Sequence, residues 1–160
     1  MRKAVLILVL AIGACSDKPQ PAGQAPPTTR PASPEAPCAT KIVTSALPEW
    51  ARTGFGGDGS GIPHVFSKNG DMLGVLFGNP LSAPPAADHN NKILWVSKLP
   101  INTPSDFAIV AKLAGTGETV RPRVDPAPGP SIIDLPRAGC WRLTLSWSGH
   151  VDTMDLTYSS

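Results

Sequence analysis

The sequence predicts one all-β domain, a sandwich or a barrel, over residues 38–160, and three observations carry that expectation. Short apolar runs recur throughout this stretch with Gly, Pro, Asn or Asp between them. Residues 140–158 alternate apolar and polar with a period of two on both sides of Ser148-Gly149. No segment sustains the apolar spacing of an amphipathic helix.

The chain begins with a basic pair, Arg2-Lys3, then an apolar stretch from Ala4 to Ile12, then Gly13, Ala14 and Cys15. As a helix, residues 4–14 would span about 16 Å, well short of the roughly 30 Å core of a bilayer. Charges at Arg2, Lys3, Asp17 and Lys18 bar extension on either side, so a secretory leader is expected over residues 1–14 rather than a membrane span. The run Ile12-Gly13-Ala14-Cys15 resembles the lipobox of bacterial lipoprotein precursors, with small residues at the two positions before the cysteine and an aliphatic one at the third. That resemblance implies cleavage before Cys15, lipidation of Cys15, and an extracytoplasmic protein anchored to the cell membrane, or to the outer membrane where the bacterium has one. Cleavage after Ala14 as an ordinary secreted protein is the alternative. Each buried methylene contributes about 0.8 kcal/mol and a single acyl chain holds only reversibly, so stable anchoring takes two or three chains.

Removing the leader changes the charge and the cysteine count. Arg2 and Lys3 leave with a segment that holds no acid, so twelve basic residues remain against twelve acidic ones. A balanced chain offers no field to attract nucleic acid or an anionic surface. Assigning Cys15 to lipid leaves Cys38 and Cys140, an even pair in an oxidising compartment, and a disulfide between them is expected.

Residues 15–37 read as a lipidated N-terminus and spacer. Pro19, Pro21, Pro26, Pro27, Pro31, Pro34 and Pro37 alternate with Ala, Gln, Thr and Ser, which bury too little surface to fold. Extended at about 3.1 Å per residue, such a stretch reaches about 70 Å. Beyond it, residues 46–52 allow one helical turn starting at Pro48. The Gly-rich run 54–61 reads as a flexible surface loop. It lacks the Lys and the helix of a phosphate cradle, and Ile62-Pro63 leads on into a strand. Strands are expected at 64–68, 72–78, 92–98, 107–113, 118–123, 131–135, 140–147 and 150–158. Residues 79–91, long and stiffened by prolines, form the best candidate for a recognition loop. In the final hairpin Trp141, Leu143, Leu145 and Trp147 share one face, and Met154, Leu156 and Tyr158 share one face of the return strand. Cys140 then falls on the polar face, so its disulfide pins the incoming chain to the rim and does not bridge the sheets through the core.

The run Leu135-Pro136-Arg137-Ala138-Gly139-Cys140-Trp141-Arg142-Leu143-Thr144-Leu145 resembles the corner and strand near the end of bacterial immunoglobulin-like domains in envelope lipoproteins. With Ala46-Leu47-Pro48-Glu49-Trp50-Ala51, Val75-Leu76-Phe77-Gly78-Asn79-Pro80-Leu81 and Lys92-Ile93-Leu94-Trp95-Val96, the chain is similar to actinobacterial envelope lipoproteins. The resemblance implies an immunoglobulin-like β-sandwich of seven or eight short antiparallel strands and no particular activity. Position 138 is alanine, so the tyrosine corner of true immunoglobulin domains is missing.

Chemistry-bearing patterns are sparse. His64, His89 and His150 are far apart in sequence and show no paired zinc spacing. His150 and Met154 have the spacing of a copper-binding loop, but a blue-copper site needs a thiolate, and Cys140 has Cys38 as a disulfide partner. No Gly-x-Ser-x-Gly elbow is present. Asp152 and Asp155 alternate across a strand and cannot act as a close pair. Of the four tryptophans, Trp95, Trp141 and Trp147 read as core and Trp50 as partly exposed. The expectation is therefore a non-catalytic binding or structural module with no catalytic, cofactor or metal residues, whose partner is another envelope protein or a cell-wall component. The runner-up is a metal-handling domain using His64, His89 or His150 with Met154, and the third reading is a hydrolase with a non-standard site.

Overall fold

The computed structural model describes residues 36–102, 106–124 and 127–160. The segments expected to be a leader (1–14) and a spacer (to residue 35), with Cys15 as the expected lipidation residue, lie outside the described residues.

Eight strands form, one in each stretch where alternation and turn residues predict one. They are β1 (His64–Phe66), β2 (Met72–Leu76), β3 (Lys92–Ser97), β4 (Ala108–Leu113), β5 (Thr119–Val120), β6 (Pro130–Ile132), β7 (Gly139–Trp147) and β8 (His150–Tyr158). They make two antiparallel four-stranded sheets, ordered β1-β2-β3-β6 and β5-β4-β7-β8. The fold is an all-β sandwich.

Where strands stop short of expectation, the backbone shows why. β2 ends at Leu76 because Phe77 and Gly78 both donate to the Lys92 carbonyl, at 3.0 and 3.3 Å. Two residues facing one is the mark of a bulge, which bends the strand away. A side chain at Gly78 would overlap the Asn90 carbonyl, so only glycine fits there. β5 is confined to Thr119 and Val120, with Pro122 lacking a donor just beyond it. β6 starts at Pro130, which an edge strand tolerates.

Alternation then builds the core. β7 and β8 pair in register from Gly139↔Tyr158 to Trp147↔His150 around Ser148-Gly149. Ser148 takes φ +44° and Gly149 φ +81°, as a two-residue hairpin turn requires. Trp141, Leu143 and Leu145 are fully buried, as is Leu156 on the facing strand, with Ile93 and Met72 coming from the other sheet. Two buried donors tie the sheets together. Trp147 Nε1 donates to Ser97 Oγ at 2.8 Å, and the Tyr158 hydroxyl donates to the Ile133 carbonyl at 2.7 Å. Burial of that phenol pushes its pKa well above the ordinary tyrosine value, so the hydroxyl stays a donor.

Cys140 points away from the core, opposite Trp141, and is bonded to Cys38 with the two Cα atoms 6.0 Å apart. The disulfide fastens the incoming chain to the outside of the β5-β4-β7-β8 sheet, as the alternation predicts.

One layer lies outside the sequence expectation. Leu47 and Ala51, the latter in a 3-10 turn at Glu49–Ala51 that follows Pro48, pack onto Leu73 and Val75 in a second apolar cluster. Residues 46–62 therefore cover the outer face of β1-β2-β3-β6, and every residue of β2 is buried. The Gly-rich run 54–61 is a surface loop, mostly exposed as expected, that is fixed to this cover through the half-buried Phe55 and the buried Gly59. Gly59 is buried against Leu47, Leu47 N–H donates to the Asp58 carbonyl at 2.9 Å, and Gly61 N–H donates to Thr44 at 2.8 Å.

Candidate functional site

The outer face of β1-β2-β3-β6 is apolar because its cross-strand neighbours are. Leu73 lies between Phe66 and Val96, and Val75 between His64 and Leu94. The cover hides the centre and leaves a rim. Phe77 is 54% exposed, Ile132 52% and Phe66 38%. Phe77 is not a loose side chain. Its ring stacks on Phe55 of the cover, with centroids 6.4 Å apart and planes 24° apart, and Lys92 Nζ sits 5.6 Å from its centroid. Ile132 pairs across the ladder with Lys92. An aromatic ring so braced keeps its exposed area at low entropy cost.

Phe77 also stands at the root of the 79–91 loop, which is braced from within. Asn91 is fully buried, and its side chain donates to Ser82 O at 2.9 Å and Asp134 Oδ1 at 2.8 Å while accepting from Ser82 N–H at 2.9 Å. Ser82 Oγ accepts from Ala86 N–H at 3.0 Å. His89 closes the far side, with Nε2 3.0 Å from the Pro80 carbonyl and Nδ1 2.8 Å from Asp88 Oδ1. Two acceptors facing both ring nitrogens favour the imidazolium. The Pro80 carbonyl, then Asp88, raise the His89 pKa above its usual value, and Asp88 is lowered in return. A raised folded-state pKa means that this tie is complete below the unfolded histidine pKa, about 6.5, and is lost as pH rises through the folded value. Amide exchange in residues 80–89 is expected to speed up as pH rises through that window, beyond the intrinsic base catalysis seen in a His89→Gln variant. Equal profiles for the two proteins would show that the tie does not matter.

The other histidines are placed apart. His64, on β1, is fully buried; its Nδ1 lies 2.8 Å from the Ile62 carbonyl, its Nε2 has no hydrogen-bond partner among the described residues, and its ring meets Phe66 edge-on. His150 opens β8 in the opposite sheet, its ring 5.6 Å from Trp147. Met154 is 2% exposed in the core, and Cys140 is taken up by the disulfide. The residues of the metal-handling reading thus sit on β1, in the 79–91 loop and on β8. Among the described residues no three His, Cys, Asp or Glu side chains group as a metal site.

Asp152 and Asp155 face opposite ways, as predicted. Asp152 points inward, 4% exposed, and accepts from the Asn69 and Thr153 amides. Asp155 points outward and takes Arg142 in a two-pronged pair, Nε–Oδ1 2.8 Å and Nη2–Oδ2 2.9 Å. Burial pushes its pKa up, but the Arg142 hydrogen bond and the Ala39 amide outweigh this and hold the carboxyl below its usual value.

An open depression of about 290 Å³ beside the β7–β8 turn gathers Asp106, Ser146, Ser148 and His150. Among the described residues the His150 imidazole makes no hydrogen bond, so the base-to-hydroxyl contact of serine chemistry is not formed. Trp95, Trp141 and Trp147 are core residues, at most 2% exposed, and Trp50 is half-buried on the cover, as expected. Sequence reading missed the Phe55–Phe77 pair. The unbroken apolar run Met72-Leu73-Gly74-Val75-Leu76 was the available signal, because a strand without alternation is covered on both faces.

No protein-family model matches the chain, and searches of curated proteins and of solved structures return no match either.

Proposed function

We propose that this chain is a lipid-anchored, extracytoplasmic binding module without catalytic activity. In this reading residues 1–14 are a leader, Cys15 carries the lipid, residues 15–37 hold the domain off the membrane, and the sandwich meets another envelope protein or a cell-wall component. The observation that carries the binding reading is Phe77, half-exposed yet fixed between Phe55 and Lys92 at the root of a braced loop. Rigid aromatic rings framed by polar groups are the features enriched where proteins bind one another. The strand order supports the immunoglobulin-like assignment. The chain passes between sheets from β3 to β4, from β5 to β6 and from β6 to β7, and sandwiches of this class carry recognition on their loops.

A photoreactive phenylalanine derivative placed at position 77 of the full chain tests the reading in cells. A discrete crosslinked product is expected from position 77 and not from a control at the exposed Thr119 on β5 of the other sheet. The same products from both positions, or none from either, would refute it. A Cys15→Ala chain that still partitioned wholly with membranes would refute the anchor.

A further inference from the structure

Residues 36–44 run as a strap from one sheet to the other. Fastenings among the described residues at the β5-β4-β7-β8 end include the Cys38–Cys140 disulfide, Ala39 N–H to Asp155 Oδ2 at 3.0 Å, Thr40 Oγ1 to Thr157 Oγ1 at 2.9 Å, and Arg142 Nη2 to the Ala36 carbonyl at 3.0 Å. At the β1 end Val43 exchanges both backbone hydrogen bonds with His64, at 2.8 and 2.9 Å. Between the two ends lies an apolar slot of about 170 Å³, lined on the strap side by Thr40 and Ile42 and on the core side by Leu76, Leu81 and Leu156. Those three leucines are no more than 3% exposed, while Ile42 is 46% exposed.

We propose that the strap is a redox-operated cover, released when Cys38–Cys140 is reduced, and that its release uncovers this slot. Three features carry the proposal. The disulfide is a covalent fastening at its end, and the hydrogen bonds of Ala39, Thr40 and Ala36 beside it are solvent-exposed, where water competes for each partner. Both cysteines are only half-buried, within reach of an incoming thiolate. Cys140 sits on the outer face of β7, whose ladders to β4 and β8 do not involve the disulfide, so the sandwich keeps its register without it. The reductant is a dithiol. One of its thiolates attacks a sulfur of the pair and forms a mixed disulfide, and its second thiol resolves that bond. Two electrons and two protons thereby pass to Cys38 and Cys140, and the dithiol leaves as a disulfide. Release stops at Val43, where the bridge to β1 takes over. The device is independent of whatever Phe77 binds.

Trypsin reads the device directly, because the exposed Lys41 lies inside the strap. With the full chain, cleavage after Lys41 is expected to become at least about tenfold faster on treatment with dithiothreitol, as local opening sets the rate. Cleavage after Lys68 and Lys92 should not change, the near-ultraviolet circular dichroism of the tryptophans should persist, and an apolar dye should bind. A second protein, oxidised Ile42→Ser, removes the strap's side of the slot with the disulfide intact, and should bind dye without reductant. An unchanged Lys41 rate would overturn the proposal. So would simultaneous acceleration at all three sites with loss of the tryptophan signal, which would make the disulfide a staple for the whole domain. Absence of dye binding by oxidised Ile42→Ser would remove the slot.

Discussion

Trp141→Ala is expected to be the most damaging single substitution in the described domain. The side chain is fully buried, sits on the central strand β7 opposite Leu113 and Leu156, and donates its Nε1–H to the Arg137 carbonyl at 3.0 Å. Truncating a buried tryptophan costs about 3–5 kcal/mol, through lost transfer energy and the cavity left behind. A domain of this size is typically stable by only about 5–15 kcal/mol. The loss should appear in urea as a large fall in the unfolding midpoint with little change in slope. The same Nε1 contact closes the 137–141 corner that turns the chain into β7, so register as well as volume depends on it. Trp50→Ala is the comparison. That residue is half-buried and outside the main core cluster, and its loss should move the midpoint much less. Equal midpoints for the two variants would contradict the division between core and cover described above.

That division also marks where the sequence is legible. Strands whose one face is buried and other face wet announce themselves by alternation. β7 and β8 show it most fully, and with it the outward direction of Cys140 and the opposite facing of Asp152 and Asp155. Strand order is not legible in this way, because pairing β3 with β6 and β4 with β7 depends on contacts far apart in sequence. The cover was hidden for a different reason. Residues 46–62 have glycines where turns need positive φ, at 54, 57, 59 and 61, and such spacing looks the same whether or not the loop is packed. The exposed Phe77 is a consequence of the cover, so it was hidden with it. The histidines show the converse limit. Their residue type invites metal chemistry, but placement on β1, in a loop and on β8 separates them, and a period-2 pattern cannot report that distance.

The cover makes its own large prediction, because Leu47 and Gly59 are matched to each other. Leu47 is fully buried over Leu73 and Val75, and its replacement by alanine is expected to cost about 2–5 kcal/mol. Gly59 holds φ +75°, and a Cβ there would lie 2.6 Å from Leu47 Cδ1, closer than real atoms come. Gly59→Ala therefore meets both an unfavourable backbone conformation and overpacking, the latter alone worth about 1–3 kcal/mol. The two effects are not independent. Leu47→Ala removes the two closest overlaps, with Cδ1 and Cγ, so the double variant should be more stable than the sum of the single losses predicts. A coupling of about 0.5–3 kcal/mol is the range for residues in direct contact. The part of the Gly59→Ala penalty that remains in the Leu47→Ala background combines the backbone strain with the 3.1 Å approach to Cβ of residue 47, which alanine keeps. Purely additive losses in urea unfolding would mean that residues 46–62 do not pack as a layer on the sheet. In that case the brace that Phe55 supplies to Phe77 would go with it, and the proposed binding role of Phe77 would lose its physical basis.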